Sequence, residues 1–388
     1  MSIAFIDVRA QLARIKDRMH GAIFAAVESG AYIMGPQVAE FEARLSAFSG
    51  AKHTVTCANG TDAIALPLLA WGIGPGDAVF CPSFTFAATA EVVPWFGASP
   101  VFVDIRPDTY NIDAAHLEAA IEQTKRDGKL VPKAVIAVDL FGQPADYPQI
   151  AALARKHGLK LIADSAQSFG CTLQGKHPIA WADAVTTSFY PAKPLGCYGD
   201  GGAVQTDDDA LRDVMESLRV HGQATKRDVE REKFEHDAKY LNVRIGINSR
   251  LDTLQAAVLI EKLNIFADEI EARNRVAARY NARLEGLVKS VPTVIDAGVS
   301  VWAQYTIEVP DRDGLAAHLK RKGVPTAVYY PVPIHRQPAY RHYPLGPGGL
   351  KTTEEKAAAV ISLPMHPYLD EVTQDRIIEA VREFNLLK

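Results

Sequence analysis

The stretch AVIAVDLFGQPADYPQIAALARKHGLKLIADS, residues 134–165, is the clearest indication of the fold. It begins with an apolar, β-branched run (134–141) and ends with a second one (160–165). Between them, the segment from Ala145 to His157 has the pattern of a helix. A strand, a helix and a second strand in this order indicate two parallel strands, because a parallel connection has to cross over the sheet.

The same alternation extends from about residue 50 to residue 206. Helical segments lie between several of seven short apolar runs. The runs are at 54–58, 78–82, 100–105, 134–141, 160–165, 184–190 and 202–206. Runs that are apolar throughout, and not at every second residue, are typical of strands buried on both faces. The sequence therefore predicts an α/β fold with a mostly parallel, seven-stranded sheet covered by helices.

A different pattern begins after Arg250. The segment 251–288 contains no proline, and its apolar residues recur at helical intervals, at Leu259, Leu263, Phe266 and Ile270. A helix of this length commonly links two domains, although a long surface helix would have the same pattern. Beyond it, strand-like runs at 303–309 and 326–330 and helix-like segments at 315–322 and 373–387 predict a small α+β domain.

These patterns divide the chain into two predicted domains. Residues 1–250 form the large domain, with an N-terminal arm (1–20) that packs on the small domain or on a dimer partner. Residues 251–388 form the interdomain helix and the small C-terminal domain. The charged stretch 225–239 is either an exposed excursion or a solvated helix.

Length, composition and charge exclude several classes of protein. The 388 residues are 48% hydrophobic and 23% charged, as in globular proteins of two domains, and the net charge of −4 argues against nucleic-acid binding. The four cysteines form no C-x-x-C pair, which argues against a metal site and fits a reducing cytoplasm. The early charges Asp7 and Arg9 argue against a signal peptide, and no apolar stretch reaches the ~20 residues of a membrane span. We expect a cytoplasmic protein without a membrane partner.

The motif ANGTDA (58–63) follows a predicted strand and opens a helix. Gly60 and Thr61 would present free backbone N–H groups at the positive end of that helix, which is a common phosphate site. The same residues could equally form an ordinary helix cap.

Two further motifs contain ionisable residues after buried strands. In LIADSAQS (161–168), Asp164 ends a strand, where a buried carboxylate is costly unless it pairs with a cation; alternatively it caps the next helix. In TSFYPAKPLGCYGDGGA (187–203), Lys193 lies among apolar and rigid neighbours, where a desolvated amine becomes a usable nucleophile; alternatively it is a surface lysine. Ser188 precedes Lys193 by five residues and could bind a phosphate.

A phosphate site, a strand-end aspartate and a lysine at one sheet edge are together what pyridoxal 5′-phosphate (PLP) requires. The lysine binds the cofactor covalently, and the aspartate keeps the pyridine nitrogen protonated, so that the ring can accept electrons. None of the three features alone distinguishes a PLP site from the structural alternatives given above. Their combination favours a PLP site.

The chain resembles the DegT/DnrJ/EryC1/StrS family of sugar-nucleotide aminotransferases, which are PLP enzymes of fold type I. The resemblance covers nearly the whole chain in motifs such as YIMGPQVAEFE (32–42), PSFTFAATA (82–90), SFYPAKPLG (188–196), GINSRLDTLQAA (246–257) and YYPVPIHRQPAY (329–340). It implies that PLP, with pyridoxamine 5′-phosphate as the intermediate form, is the cofactor, and that no metal takes part.

The resemblance also implies roles for individual residues. Lys193 would form the Schiff base and Asp164 would pair with the pyridine nitrogen. The remaining cofactor contacts would come from Gly60, Thr61, Phe86, Gln167, Ser188 and Asn248. Gln167 would lie near the ring 3-hydroxyl and Phe86 against the ring face. Asn248 would reach the phosphate of the other subunit, so that a homodimer shares its active sites. Without the resemblance, Phe86 reads as a core residue and Asn248 as an ordinary polar residue.

Within the family, the motifs are most similar to those of the subgroup that aminates the 3-keto group of UDP-linked 2-acetamido-hexuluronic acids for bacterial O-antigen and lipopolysaccharide synthesis. L-Glutamate would donate the amino group and leave as 2-oxoglutarate. Both substrates carry carboxylates, for which Arg250 is the first candidate and Arg244 the second. Tyr329 departs from the histidine expected there, and His335 is a candidate to take over a substrate contact.

Three alternatives remain open at this point. A 4-keto sugar-nucleotide aminotransferase, for example in perosamine synthesis, is not separated from a 3-keto enzyme by any residue. A pyridoxamine-dependent sugar dehydratase would carry histidine in place of Lys193, which argues against it. A PLP-binding regulator without turnover would leave glutamate unchanged.

Overall fold

The computed structural model describes residues 3–232 and 240–386. Its main sheet contains the seven predicted runs, at β1 (His53–Cys57), β2 (Asp77–Pro82), β3 (Ser99–Val103), β4 (Val131–Val138), β5 (Lys160–Asp164), β7 (Ala184–Ser188) and β8 (Gly202–Thr206). A separate two-stranded pair consists of β6 (Thr172–Leu173) and β9 (Gly298–Val299). The prediction of a seven-stranded sheet is confirmed.

The strands of the main sheet lie in the order β1-β8-β7-β5-β4-β2-β3. The pairs β7–β5, β5–β4, β4–β2 and β2–β3 are parallel, whereas β8 runs antiparallel to both of its neighbours. The carboxyl ends of β4, β5 and β7 therefore meet at one edge, as predicted. This edge receives Asp164 from β5 and Ser188 from β7.

Both faces of the sheet are buried. Neighbouring residues along one strand point into different cores: Val135 packs in one apolar cluster and Ile136 in another, and Leu161 and Ile162 divide in the same way. This arrangement explains why the strands are apolar at consecutive positions.

Twelve helices surround the strands in the described ranges. They are α1 (Val8–Glu28), α2 (Pro36–Ser49), α3 (Gly60–Ala70), α4 (Ala88–Trp95), α5 (Ala114–Asp127), α6 (Tyr147–His157), α7 (Asp209–Leu218), α8 (Lys226–Glu232), α9 (Thr253–Leu284), α10 (Arg312–Arg321), α11 (Lys351–Ala359) and α12 (Glu371–Leu386). Of the charged stretch 225–239, residues 226–232 form α8 and residues 233–239 lie outside the described ranges.

The long helix α9 connects the sheet region to the C-terminal region. Leu259 and Phe266 of its predicted apolar face are fully buried, in a cluster with Phe41 of α2 and Phe189 after β7. Farther along, Val276 and Tyr280 belong to the core of the second domain. One helix thus contributes to both cores, which agrees with a predicted interdomain role.

The second domain is built on two antiparallel strands, β10 (Tyr305–Glu308) and β11 (Val360–Leu363). The N-terminal arm packs partly here: Ile3 lies in this core, and the carbonyl of Phe5 accepts a hydrogen bond of 3.2 Å from the N–H of Met365. The first residues of the arm thus contact the small domain.

The predicted strand at 326–330 is wrong. Only Ala327 forms a bridge, to Ser362 of β11. The segment then leaves the strand edge, because Pro331 and Pro333 have no N–H to donate and the ring of Tyr330 packs near Phe84. This departure brings the two tyrosines of the segment towards the main sheet.

Candidate active site

Asp164 is the last residue of β5, and its side chain is 4% exposed. Oδ2 accepts a hydrogen bond of 2.8 Å from the hydroxyl of Thr89, and Oδ1 accepts one of 3.2 Å from the N–H of Ala166. Burial raises the pKa of Asp164, and both hydrogen bonds and the charge of Lys193 oppose that rise. Neither hydrogen-bond donor is a cation, so the carboxylate can still pair with a protonated nitrogen.

Lys193 lies in the turn that follows β7. Its backbone N–H donates to the carbonyl of Tyr190 at 2.8 Å, and its side chain is half-buried. Across residues 3–232 and 240–386, the amine has no hydrogen-bond partner. Burial lowers the pKa of Lys193, and the charge of Asp164 acts in the opposite direction. A lowered pKa increases the neutral, nucleophilic fraction of the amine.

The start of α3 lies directly against the end of β7. A Cβ added to Gly60 would lie 2.5 Å from the Cβ of Ser188, so only glycine permits this approach. The side chain of Asn59 caps the helix by accepting a hydrogen bond of 2.8 Å from the N–H of Asp62. Gly60 and Thr61 form the first turn, where helical N–H groups have no partner within the helix. These groups and the Ser188 hydroxyl make a suitable phosphate site.

Gln167 is buried and held at both ends of its amide. Oε1 accepts a hydrogen bond of 2.9 Å from the N–H of Phe141, and Nε2 donates one of 2.9 Å to the hydroxyl of Tyr330. Phe86 is 56% exposed, with its ring centroid 6.4 Å from that of Tyr330. Phe86 is therefore not the core residue that its sequence context alone favours, and its exposed ring leaves room for a second ring.

The segment 248–250 is fixed beside the start of α3 through Ser249. The hydroxyl of Ser249 donates to Oδ2 of Asp62 at 2.6 Å and accepts from the N–H of Ala58 at 3.0 Å. Its neighbours Asn248 and Arg250 line a surface cavity of about 450 Å³ together with Ile33, Ala58, Gly199, Asp200, Asp252 and Gln255. In the described part of the chain, no hydrogen bond or ion pair joins Asn248 or Arg250 to Lys193 or Asp164.

Two candidate substrate residues already have protein partners. Arg244 forms a bidentate pair with Asp228, with both N–O distances at 2.7 Å, which leaves Arg250 as the stronger candidate for a carboxylate. His335 is buried, with Nδ1 at 2.7 Å from the Ser83 hydroxyl and Nε2 at 3.0 Å from Glu354. Both ring nitrogens of His335 therefore have protein partners, and the contact between His335 and substrate stays a prediction. Tyr329 is half-buried beside Tyr330.

Asp139, which sequence reasoning missed, supports the turn that carries Asp164 and Gln167. It is fully buried after β4 and accepts hydrogen bonds from the hydroxyls of Ser165 (2.6 Å), Ser168 (2.9 Å) and Tyr147 (2.7 Å) and from the N–H of Ala145 (2.8 Å). Burial raises its pKa to about 6. A carboxylate at the end of an apolar run was the same signal that singled out Asp164. Thr89 and Tyr330 gave no such signal.

Two further features concern membrane spans and metal sites among the described residues. No described helix is long and apolar enough to cross a membrane. Over the described ranges, no group of three or more histidine, cysteine, aspartate or glutamate side chains is placed to hold a metal ion.

The fold and the site define a class: an α/β enzyme of PLP-dependent aminotransferase fold type I. More particularly, the chain belongs to the DegT/DnrJ/EryC1/StrS aminotransferase family, whose sequence profile matches residues 13–382.

Individual relatives agree with this assignment. The chain is 47% identical over 368 residues to the UDP-2-acetamido-2-deoxy-3-oxo-D-glucuronate aminotransferase of Pseudomonas aeruginosa, covering 95% of this chain and 96% of the relative. A crystal structure of a family member from Brucella abortus superposes with a TM-score of 0.94 at 53% identity, over 99% of both chains. A Bacillus subtilis structure with bound cofactor PMP gives 0.83 at 30% identity, over 98% of this chain and 83% of that one.

The residues present fit a PLP-type cofactor. A buried carboxylate without a hydrogen-bonded cation suits the pyridinium nitrogen, and a lysine amine without a partner in the described ranges suits covalent attachment. The close approach of Gly60 to Ser188 brings helical N–H groups and a hydroxyl together, which suits a phosphate. The three features lie at the same sheet edge, at the ends of β5 and β7 and the start of α3.

Proposed function

We propose that this enzyme transfers the amino group of L-glutamate to the 3-keto group of a UDP-linked 2-acetamido-hexuluronic acid. The observation that carries the reaction type is the placement of the buried Asp164 carboxylate and the Lys193 amine at one sheet edge, where the charge of each acts on the pKa of the other. The substrate class is supported by the 47% identity, over 95% of this chain, to the P. aeruginosa enzyme named for such a sugar.

In this proposal, pyridoxal 5′-phosphate supplies an electron sink when it is bound. Asp164 would hold a proton on the pyridine nitrogen, and Gln167 would lie near the ring 3-hydroxyl. Gly60, Thr61 and Ser188 would bind the phosphate, and Phe86 would lie against the ring face. Lys193 would hold the cofactor covalently, and its amine, when free, would accept the proton that leaves the donor's Cα. Arg250 binds a substrate carboxylate through its planar fork.

The proposal includes a homodimer in which Asn248 serves the partner's cofactor phosphate. Three exposed apolar residues, Tyr32, Ile33 and Met34, lie beside the segment of Asn248, where the carbonyl of Tyr32 accepts a hydrogen bond of 2.9 Å from the N–H of Thr253. A contiguous exposed apolar surface is typical of an interface.

An absorbance titration of the purified holoenzyme tests the reaction. We expect L-glutamate to abolish the absorbance of the lysine-bound cofactor and to release 2-oxoglutarate, and the UDP-linked 3-keto uronate to restore the absorbance. Restoration by a 4-keto sugar nucleotide alone would overturn the 3-keto assignment. No change in absorbance with glutamate would overturn the assignment of glutamate as the amino donor. It would favour the alternative of a PLP-binding regulator without turnover.

Mixing two inactive variants tests the shared site. Lys193→Ala and Asn248→Asp, purified separately and then unfolded and refolded together, should regain activity, because one of the two sites in each mixed dimer then has both native residues. If each site were built from one chain, the mixture would remain inactive.

A further inference from the structure

Lys262 is an unusual residue in the core of this protein. It lies on α9 and is 1% exposed. Its ammonium group donates a hydrogen bond of 2.5 Å to the carbonyl of Gly196 and lies 4.4 Å from the centroid of the Tyr198 ring. Over the described ranges, Lys262 forms no ion pair within 4.0 Å, although the charge of Glu269 acts at longer range. Burial lowers the pKa of Lys262 to about 8.

The carbonyl that Lys262 holds belongs to the turn of the active-site lysine. Gly196 follows Lys193 by three residues, and a Cβ added to Gly196 would lie 2.6 Å from the carbonyl oxygens of Tyr190 and Pro191. The turn therefore closes tightly upon itself, and a displacement of Gly196 is transmitted to the residues before Lys193. The side chain of Gln255, also on α9, accepts a hydrogen bond of 2.8 Å from the N–H of Tyr198.

Packing alone does not account for a lysine at this position. A buried ammonium group loses its hydration, and one carbonyl and one aromatic ring replace only part of it. A methionine of similar length would fill the space between α9 and the turn without that cost. What methionine cannot do is donate a hydrogen bond to Gly196.

We propose that Lys262 is a positioning residue, which holds the carbonyl of Gly196 and thereby fixes the turn that presents the amine of Lys193. The inference rests on the proposed function only for the role of Lys193. Since α9 also contributes to the core of the second domain, the same contact ties the reactive turn to the helix that joins the two domains.

The first test measures Lys193 in cofactor-free protein. Trace acetylation over a series of pH values, quantified by mass spectrometry of the Lys193 peptide, gives the pH midpoint of its reactivity. In Lys262→Met the turn loses its anchor, the amine becomes more hydrated, and we expect the midpoint to rise by about one pH unit. Lys262→Gln, which can still donate to Gly196, should stay close to the wild type.

The second test uses the holoenzyme and L-glutamate. In Lys262→Met, we expect kcat of the glutamate half-reaction to fall by about tenfold or more and KM to change by less than about twofold. A displaced amine slows the chemical step but leaves the binding of glutamate unchanged. Lys262→Gln should recover most of the loss. Val276→Ala is the control on the same helix: it opens a cavity in the core of the second domain, whose apolar cluster includes no residue of the turn, and should lower the melting temperature without moving the Lys193 midpoint.

A stable Lys262→Met protein with the wild-type midpoint and kcat would overturn the proposal, and so would a Val276→Ala protein with the same shift in midpoint as Lys262→Met. If Lys262→Met does not fold, Gln255→Ala is tested in its place. An unchanged midpoint of Lys193 acetylation in Gln255→Ala would refute the anchoring of the turn by α9, and a raised midpoint would support it. Failure of the proposed transamination would appear as no reaction with glutamate in the wild type, and the acetylation midpoint would still be measured.

Discussion

The hydroxyl of Thr89 donates a hydrogen bond of 2.8 Å to Oδ2 of Asp164, across 75 positions of sequence. Thr89 lies on α4 and is buried, and its hydroxyl is also 3.0 Å from that of Thr85. The bond fixes the rotation of the carboxylate and stabilises its charged form. Asp164 can serve a protonated ring nitrogen only in that form.

Thr89→Val should therefore weaken cofactor binding. A hydrogen bond to a charged group is worth about 1.5–3 kcal/mol, so the dissociation constant of PLP should rise roughly tenfold or more. Absorbance titration of cofactor-free protein measures it. Thr89→Ser keeps the hydroxyl and should bind like the wild type. Weakening in Thr89→Ser but not in Thr89→Val would show that the methyl group of Thr89, and not its hydroxyl, matters.

Asp139 should give the fold a distinct pH dependence. Its pKa is raised to about 6, against 3.8 ordinarily, so the folded protein binds a proton that the unfolded chain releases between these values. The stability from this residue is complete below pH 3.8 and is lost as the pH rises through 6.

The asparagine side chain in Asp139→Asn does not titrate. The free energy of unfolding of the wild type, measured with denaturant, should exceed that of Asp139→Asn by about 3 kcal/mol more at the acidic end of this pH range than at its neutral end. The difference between the two proteins is the relevant quantity, because other acidic groups cancel in it. A difference independent of pH would mean that the four hydrogen-bond donors offset the effect of burial and leave the pKa of Asp139 at its ordinary value.

Gly60→Ala should separate the start of α3 from the end of β7, because the new Cβ would lie 2.5 Å from the Cβ of Ser188. We expect PLP to bind at least about tenfold more weakly, by titration of cofactor-free protein, because the phosphate site loses its geometry. Gly21→Ala on α1, where no atom lies within 4 Å of the added Cβ, is the control and should be neutral or slightly stabilising. Similar losses in both variants would contradict the steric explanation.

Arg250→Ala should raise KM for substrates with a carboxylate by about tenfold or more, and Arg250→Lys should recover little of it, because lysine lacks the planar fork. Steady-state kinetics with L-glutamate and with the keto uronate show which substrate depends on it. Arg244→Ala breaks the pair with Asp228 and should lower stability with KM unchanged. A rise in KM in Arg244→Ala alone would reverse the two assignments.

Most of the fold was predictable from local patterns. The seven strands of the main sheet are buried on both faces, so each appears as an apolar run, and α9 shows its buried face at helical spacing. The segment 326–330 has the same β-branched and aromatic composition, yet it forms only one bridge, because the neighbouring prolines and the contact of Tyr330 with Phe84 outweigh its local preference.

The residues predicted to have chemical roles were visible in the sequence. Asp164 and Lys193 stand out because an ionisable side chain after a buried strand is costly without a partner. Which residues support them, and which candidates have protein partners, follows from the tertiary structure alone. Thr89, Asp139 and Lys262 reach the site from distant segments, and His335 is engaged by Ser83 and Glu354. Such contacts depend on how helices and strands pack together, and packing leaves no periodic signal in a single sequence.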